Sequence, residues 1–184
     1  MDYNPINYYN DIIILKLKGI LDFSQRKVHD VFLPIEKTWG KDKILEDCMI
    51  SGWGRTTRHK SSRIPKILQW ANVPTIANCN SVSNYTNLIE SQICAGDLIN
   101  GQTDACTGDS GGPLVCKSGF SGYVMTGVVS YGPRICGTPN YPGIYTRVGY
   151  FLDWIKDKME KPGTIIYTNL FLLYLILLFK LQSN

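Results

Sequence analysis

The stretch 104–116, DACTGDSGGPLVC, decides how this chain is interpreted, because it places Ser110 between Gly108 on one side and Gly111 and Gly112 on the other. Glycine adopts backbone conformations that other residues avoid, so the amide N–H groups around Ser110 can converge on one point. Converging donors of this kind stabilise negative charge as it develops, which is the work of an oxyanion hole. A serine hydroxyl becomes a nucleophile only when a base accepts its proton. The alternative is a simple turn, since the residues of GDSGG are all turn formers.

Composition limits the remaining possibilities. The 184 residues are 44% hydrophobic and 18% charged with a net charge of +4, so there is enough apolar material for a core and the chain is not a disordered one. No basic run exceeds two residues, and we therefore predict no nucleic-acid binding. The six cysteines form no CxxC pair and there are only two histidines, so we predict no metal site. An even cysteine number without metal spacing predicts three disulfides and an oxidising, secretory compartment.

Short segments rich in Val, Ile, Tyr and Thr alternate with turn residues, a pattern typical of an antiparallel sandwich or barrel. These segments are 48–53, 66–73, 113–117, 123–131 and 143–148. The period changes over 149–160, where four apolar residues share one face of a predicted amphipathic helix. They are Phe151, Leu152, Ile155 and Met159. Trp53, Trp70 and Trp154 lie within these patterns and are predicted to be core residues.

Seven segments in chain order carry a resemblance to a known family. They are NDIIILKL (10–17), CMISGWG (48–54), ICAG (93–96), GDSGGPLVC (108–116), GVVSYG (127–132), PGIYTRV (142–148) and YFLDWI (150–155). Together they resemble the chymotrypsin/trypsin family of serine proteases over residues 5–160. The resemblance implies an all-β fold, in which an antiparallel six-stranded Greek-key β-barrel is the second barrel of the double-barrel architecture. A remnant of the first barrel precedes it and a C-terminal α-helix follows.

The same resemblance implies domain boundaries. Residues 1–34 are the remnant of the first barrel with the connector between the barrels, and residues 35–148 are the second barrel. Residues 149–161 are the terminal helix, and residues 164–181 are a hydrophobic tail.

The resemblance also implies catalytic roles and an enzyme class, a serine endopeptidase that works through an acyl-enzyme on Ser110. The amides of Gly108 and Ser110 form the oxyanion hole. Asp11 is the buried acid that orients the catalytic histidine and stabilises its charged form. Asp109 is the carboxylate that, in active relatives, pairs with a freshly cut N-terminal amine.

A primary specificity pocket is implied by six positions of the chain. They are Asp104, Ala105, Ser130, Tyr131, Gly132 and Gly143. The acid at the pocket floor implies substrates with Arg or Lys before the cut, because a buried carboxylate requires a cationic partner. Ala105 removes a hydroxyl that would assist Lys, which favours Arg. Ser130 lies beside Asp11, the two glycines keep the pocket open, and Tyr131 adjusts the packing of substrate.

Six cysteines alone permit 15 pairings, and the family pattern selects Cys48–Cys116, Cys79–Cys94 and Cys106–Cys136. The sequence Asn84-Tyr85-Thr86 is a glycosylation acceptor pattern in a polar stretch that we expect to be exposed. We predict no cofactor. The predicted partners are protein or peptide substrates and protease inhibitors.

The family order is His, then Asp, then Ser, and here the pattern breaks. Ten residues precede Asp11 and none is His, while His29 and His59 follow it in polar stretches typical of a surface. The first ten residues also lack the features of a signal peptide. We expect this chain as given to be inactive, either because an upstream part of a complete protease is missing, which we favour, or because it is a catalytically dead homologue that acts as a binding protein.

The end of the chain is wholly apolar over residues 170–179, LFLLYLILLF. Three interpretations remain open: a C-terminal membrane anchor, a removable signal for a lipid anchor, and a translated non-coding or buried extension. Lys156, Lys158 and Lys161 precede this apolar run, and only Lys180 follows it. That distribution would place the domain inside the cell, in conflict with the disulfides. We expect an extracellular or cell-surface protein.

Overall fold

A computed structural model of the chain describes residues 2–19, 21–24, 30–57, 64–119 and 122–160. In chain order its elements are β1 (Cys48–Gly52), β2 (Gln69–Asn72), β3 (Thr75–Ile76), α1 (Cys79–Val82), β4 (Gln92–Ala95), β5 (Pro113–Ser118), β6 (Gly122–Tyr131), β7 (Gly143–Arg147), a 3₁₀ turn (Val148–Phe151) and α2 (Leu152–Glu160). The chain is thus mainly β with one longer helix at its end, as the sequence predicts.

The strands form one antiparallel sheet in the order β2-β1-β5-β6-β7-β4-β3. Its two outer members, β2 and β3, are separated in the chain only by Val73 and Pro74. The N–H of Val73 donates to the carbonyl of Cys48 at 3.0 Å, and the N–H of Gly96 donates to the carbonyl of Pro74 at 3.0 Å. Residues 69–76 therefore act as one bent strand, interrupted where proline lacks an N–H. This strand closes the sheet into a six-stranded barrel.

The predicted Greek-key connectivity follows from the strand order. β4 leads to β5, yet β5 lies beside β1 and β4 lies beside β7. The long connection between β4 and β5 spans residues 96–112 and contains the Ser110 stretch. The barrel therefore presents that stretch at one of its ends.

Two apolar clusters form the core. The first fills the barrel and consists of Cys48, Ile50, Val73, Ile93, Ala95, Leu114, Cys116, Val129 and Tyr145. The second lies under the terminal helix and consists of Met125, Val128, Val148, Phe151, Ile155 and Met159. All four residues of the predicted helix face are buried, which confirms the periodicity argument.

The tryptophan prediction is wrong at two positions of three. Trp53 is 55% exposed and Trp70 is 68% exposed, whereas Trp154 packs against the second cluster. Three of the four residues of β2 are exposed. Alternation therefore identified a strand correctly, but no described element covers the outer face of that strand.

The N-terminal segment, which we define as the described residues within 2–47, has a different character. It contains no strand, and among its described residues only Pro34 and Gly40 are buried. Several contacts tie it to the barrel. Among them, the Phe32 carbonyl accepts from the Met125 N–H at 2.8 Å, Ile12 and Ile14 pack on the second cluster, and the Arg147 guanidinium donates to the Lys37 carbonyl at 2.6 Å.

No helix among the described residues, which end at 160, is long and apolar enough to cross a bilayer. The predicted hydrophobic tail, 164–181, lies outside the described residues. Three disulfides link Cys48 to Cys116, Cys79 to Cys94 and Cys106 to Cys136. The predicted pairing is confirmed.

Candidate active site

The Ser110 loop owes its conformation to glycine. Gly108 has φ +105° and Gly111 has φ +83°, values that residues with a side chain rarely adopt. The Gly111 N–H donates to the Val129 carbonyl at 2.8 Å, and the Val129 N–H donates to the Gly112 carbonyl at 2.9 Å. The loop is therefore fixed against β6, with Ser110 half-buried.

The amides of this loop leave donors for a ligand. Within the part of the chain that the structure describes, the N–H groups of Gly108 and Ser110 donate no hydrogen bond to the protein. The neighbouring amide of Asp109 differs, because it donates to the Cys106 carbonyl at 2.9 Å. Two amides with unused N–H groups therefore flank one whose N–H group is used.

Asp11 meets β6 at the residue next to the one that fixes the Ser110 loop. The Ser130 hydroxyl donates to Asp11 Oδ2 at 2.6 Å, and the Thr146 hydroxyl donates to the Asp11 carbonyl at 2.7 Å. Val129 and Ser130 are adjacent, so the structure brings Ser110 and Asp11 to the same stretch of one strand. A carboxylate held this way keeps a fixed position because both its side chain and its backbone are bonded.

Asp109 is held by backbone amides. Its Oδ1 accepts from the Gly54 N–H at 2.7 Å and its Oδ2 accepts from the Cys106 N–H at 2.9 Å. A Cβ atom on Gly52 would lie 2.0 Å from Asp109 Oδ1, and one on Gly54 would lie 2.4 Å from its carboxyl carbon. Both positions must therefore be glycine, a requirement that the SGWG motif signals but that the sequence analysis missed.

Asp104 is half-buried, and one of its two carboxyl oxygens is buried without a hydrogen-bond partner among the described residues. Its Oδ2 accepts from the Gly137 N–H at 3.0 Å, whereas Oδ1 has no hydrogen-bond partner among the described residues. A Cβ on Gly143 would lie 2.5 Å from that Oδ1, so only glycine leaves the oxygen room. Burial raises the pKa of Asp104 to about 6, and the charge of Asp109 adds to the rise. No cation among the described residues offsets this rise.

A cavity of about 660 Å³ opens between β1, β2 and the loop 100–109. Asp104 and Asp109 both line it, and exposed Trp70 forms part of its wall. Ser110 and Gly143 do not line it. The cavity therefore shares Asp104 with the predicted specificity pocket but includes neither Ser110 nor Gly143.

Tyrosines surround the remaining pocket residue, Tyr131. Tyr8 stacks on it with ring centroids 4.8 Å apart, and Tyr85 meets it edge-on at 6.2 Å. Tyr8 has φ +57°, an unusual conformation for a bulky residue. A Cβ atom placed on Gly132 would lie 3.8 Å from the Cα of Gly143. The residue that follows β6 therefore lies beside the first residue of β7, and both are glycine.

Other predicted positions fall around this centre or outside the description. Ala105 packs against the barrel cluster, and Asn84 is exposed. His29 and His59 lie outside the described residues. Among the described side chains, no group of three His, Cys, Asp or Glu could hold a metal ion.

A family model described as Trypsin matches residues 1–155. The chain belongs to the trypsin family. Kallikrein-1 from Mus musculus is 38% identical over 156 residues, which is 84% of this chain and 55% of that protein. Glandular kallikrein-3, submandibular, from Rattus norvegicus is 35% identical over 158 residues, covering 85% of this chain and 78% of that protein. Transmembrane protease serine 5 from Homo sapiens is 40% identical over 162 residues, covering 86% of this chain and 34% of that protein.

This trypsin-family chain spans about half the length of the first curated relatives that it matches, as the 55% for Kallikrein-1 illustrates. Its family are serine proteases, hydrolases whose substrates are proteins. The three disulfides fit a chain that matures in an oxidising compartment.

Proposed function

We propose that this protein is a serine endopeptidase that cleaves after Arg or Lys, with Ser110 as the nucleophile. The observation that carries the specificity is Asp104, whose buried Oδ1 lacks a partner among the described residues. Leaving such an oxygen unpaired costs free energy, and a guanidinium or ammonium group would satisfy it. Gly143 lies beside this oxygen and has no side chain that could occupy the same place.

The proposed chemistry follows from the loop geometry. The Ser110 oxygen attacks the scissile carbonyl, and the free amides of Gly108 and Ser110 receive the negative charge on the carbonyl oxygen. A base accepts the Ser110 proton and then delivers it to the leaving amine, after which water hydrolyses the acyl-enzyme. In this proposal Asp11, which accepts a hydrogen bond from Ser130, orients a histidine in that role.

We further propose that these 184 residues alone hydrolyse peptides slowly or not at all. Both histidines follow Asp11 in the chain, whereas the family supplies its base before the aspartate. Loss of one triad member leaves a residual catalysis from the oxyanion hole and from binding. A second function is compatible with the same site: capture of an Arg or Lys side chain at Asp104 without cleavage.

The specificity is tested with benzamidine, a small aromatic amidinium. We expect Asp104→Asn to weaken its binding about 10- to 100-fold, since a hydrogen bond to a charged group is lost. Because the pKa of Asp104 is raised to about 6, protonation should weaken binding about tenfold between pH 8 and pH 5. Calorimetry measures both effects. Equal binding by the two proteins, or binding independent of pH, would contradict the proposed role of Asp104.

Nucleophilicity is tested with a fluorophosphonate probe, which reacts with an activated serine. Labelling of the natural protein that disappears in Ser110→Ala supports an endopeptidase. Benzamidine binding without any labelling of Ser110 would favour the binding function instead. We infer that the protein acts outside the cytosol, on protein substrates and under the control of protein inhibitors.

A further inference from the structure

The acceptor pattern Asn84-Tyr85-Thr86 plays no part in the proposed chemistry, yet it lies next to the site. It follows α1 within the loop closed by Cys79–Cys94. Asn84 and Thr86 are exposed, while Tyr85 between them is half-buried. The two residues that an N-glycosylation enzyme must read therefore face solvent, and the middle residue anchors the segment to the protein.

The backbone at Asn84 is fixed on both sides. Its N–H donates to the Asn140 carbonyl at 2.9 Å. Before it, the Ser83 hydroxyl donates to the Cys79 carbonyl at 2.7 Å and accepts from the Tyr85 N–H at 3.2 Å. A group attached to Asn84 would consequently start from a defined point on the surface.

That point adjoins the tyrosines around the proposed substrate cleft. The Tyr85 ring meets Tyr131 at 6.2 Å and Tyr141 at 5.7 Å, both edge-on. Burial raises the pKa of Tyr85, and the neighbouring hydroxyl of Tyr131 and the carboxylate of Asp104 raise it further. Tyr131 is next to Ser130, the partner of Asp11. Asn84 is therefore next in the chain to Tyr85, whose ring contacts Tyr131 of the proposed pocket.

We propose that Asn84 carries an N-linked glycan and that this glycan admits small ligands to the cleft while it obstructs protein-sized ones. An N-linked glycan is bulky and solvated, so it stays on the surface and extends across the rim beside Tyr85 and Tyr141. We expect a short peptide or an amidine to pass the glycan at this rim, because it is small. A folded protein must cover the rim to reach Asp104. The gating half of this proposal rests on the proposed function, whereas the modification itself does not.

The modification is tested by mass. The full-length protein is secreted from a glycosylating eukaryotic host and treated with an endoglycosidase that removes N-linked chains. We expect a loss of mass in the natural protein and none in Asn84→Gln or Thr86→Ala. Thr86→Ser retains the acceptor pattern and is the matched control that should still shift. An unshifted natural protein would overturn the modification.

The gating is tested on the same glycosylated and Asn84→Gln proteins. We expect the association rate constant of a protein inhibitor that presents an arginine on a protruding loop to be about tenfold higher without the glycan. Benzamidine should bind both proteins equally. Equal association of the protein inhibitor would overturn the gating. Failure of benzamidine to bind either protein would overturn the proposed function and the gating with it, while the mass shift still decides the modification.

Discussion

The barrel, residues 48–147, and the N-terminal segment use similar apolar residues to opposite effect. In the barrel Ile144 is 0% exposed and Leu114 is 0% exposed, whereas in the N-terminal segment Ile6 is 89% exposed and Ile35 is 91% exposed. The difference is one of closure. Every strand of the barrel has a neighbour on both sides once 69–76 is taken as one bent strand, so its inner face is sealed.

The N-terminal segment contributes no strand to the sheet and is attached to the barrel by individual hydrogen bonds and side-chain contacts. Asp11 is held by Ser130 and Thr146, and the Phe32 carbonyl is bonded to Met125. The proposed site thus combines a nucleophile loop fixed within the barrel and an acid attached from outside it. We infer that the two halves of the site differ in rigidity. Three comparisons of variants probe the barrel and this difference.

The largest effect is expected from removing the disulfide between β1 and β5, whose two cysteines are fully buried. Replacing both Cys48 and Cys116 by Ala removes a crosslink across 68 residues, which should lower the free energy of unfolding by about 4 kcal/mol. Removing Cys79–Cys94, which spans 15 residues, should cost about 3 kcal/mol and is the matched control. Urea unfolding measures both. A smaller loss for the longer crosslink would contradict the expected dependence on loop length.

A smaller effect should separate the two regions directly. Ile144→Ala creates a cavity in the sealed barrel and should lower the free energy of unfolding by about 3 kcal/mol. The same change at Ile35, which is 91% exposed, should alter it by less than about 0.5 kcal/mol. Thermal and urea unfolding compare the pair. Equal losses would mean that the N-terminal segment is as well packed as the barrel.

The smallest effect concerns the attachment of Asp11. Ser130→Ala removes the donor to its carboxylate and should weaken the local attachment by about 1–2 kcal/mol, so the amides of Ile12 to Ile14 should exchange about tenfold faster with deuterium. Ser118→Ala is the matched control, because Ser118 pairs with Gly122 at the opposite end of the β5–β6 hairpin. Unchanged exchange in Ser130→Ala would show that other contacts hold the segment.

Prediction from the sequence worked where local patterns had a single structural solution. The face of α2 was predicted from residues such as Ile155 and Met159, and both are buried, because a helix at the chain end has one side to pack. The prediction that Trp53 and Trp70 are core residues was wrong, because an alternating pattern identifies a strand but not what covers each of its faces. Gly52 and Gly54 were missed because the carboxylate that they accommodate, Asp109, lies over fifty residues away in the chain.

The sequence by itself determined the family, most of the barrel strands and the glycines around Ser110, because these depend on residue type and order. The disulfide pairs followed from the resemblance to the family, since six cysteines alone permit 15 pairings. Only the tertiary structure decided that residues 69–76 close the barrel, that the second oxygen of Asp104 is buried without a partner, and that Asn84 adjoins the tyrosines of the cleft. These three features arise from contacts between residues far apart in the chain. Spacing along a sequence does not fix such contacts, whereas closure of the sheet does.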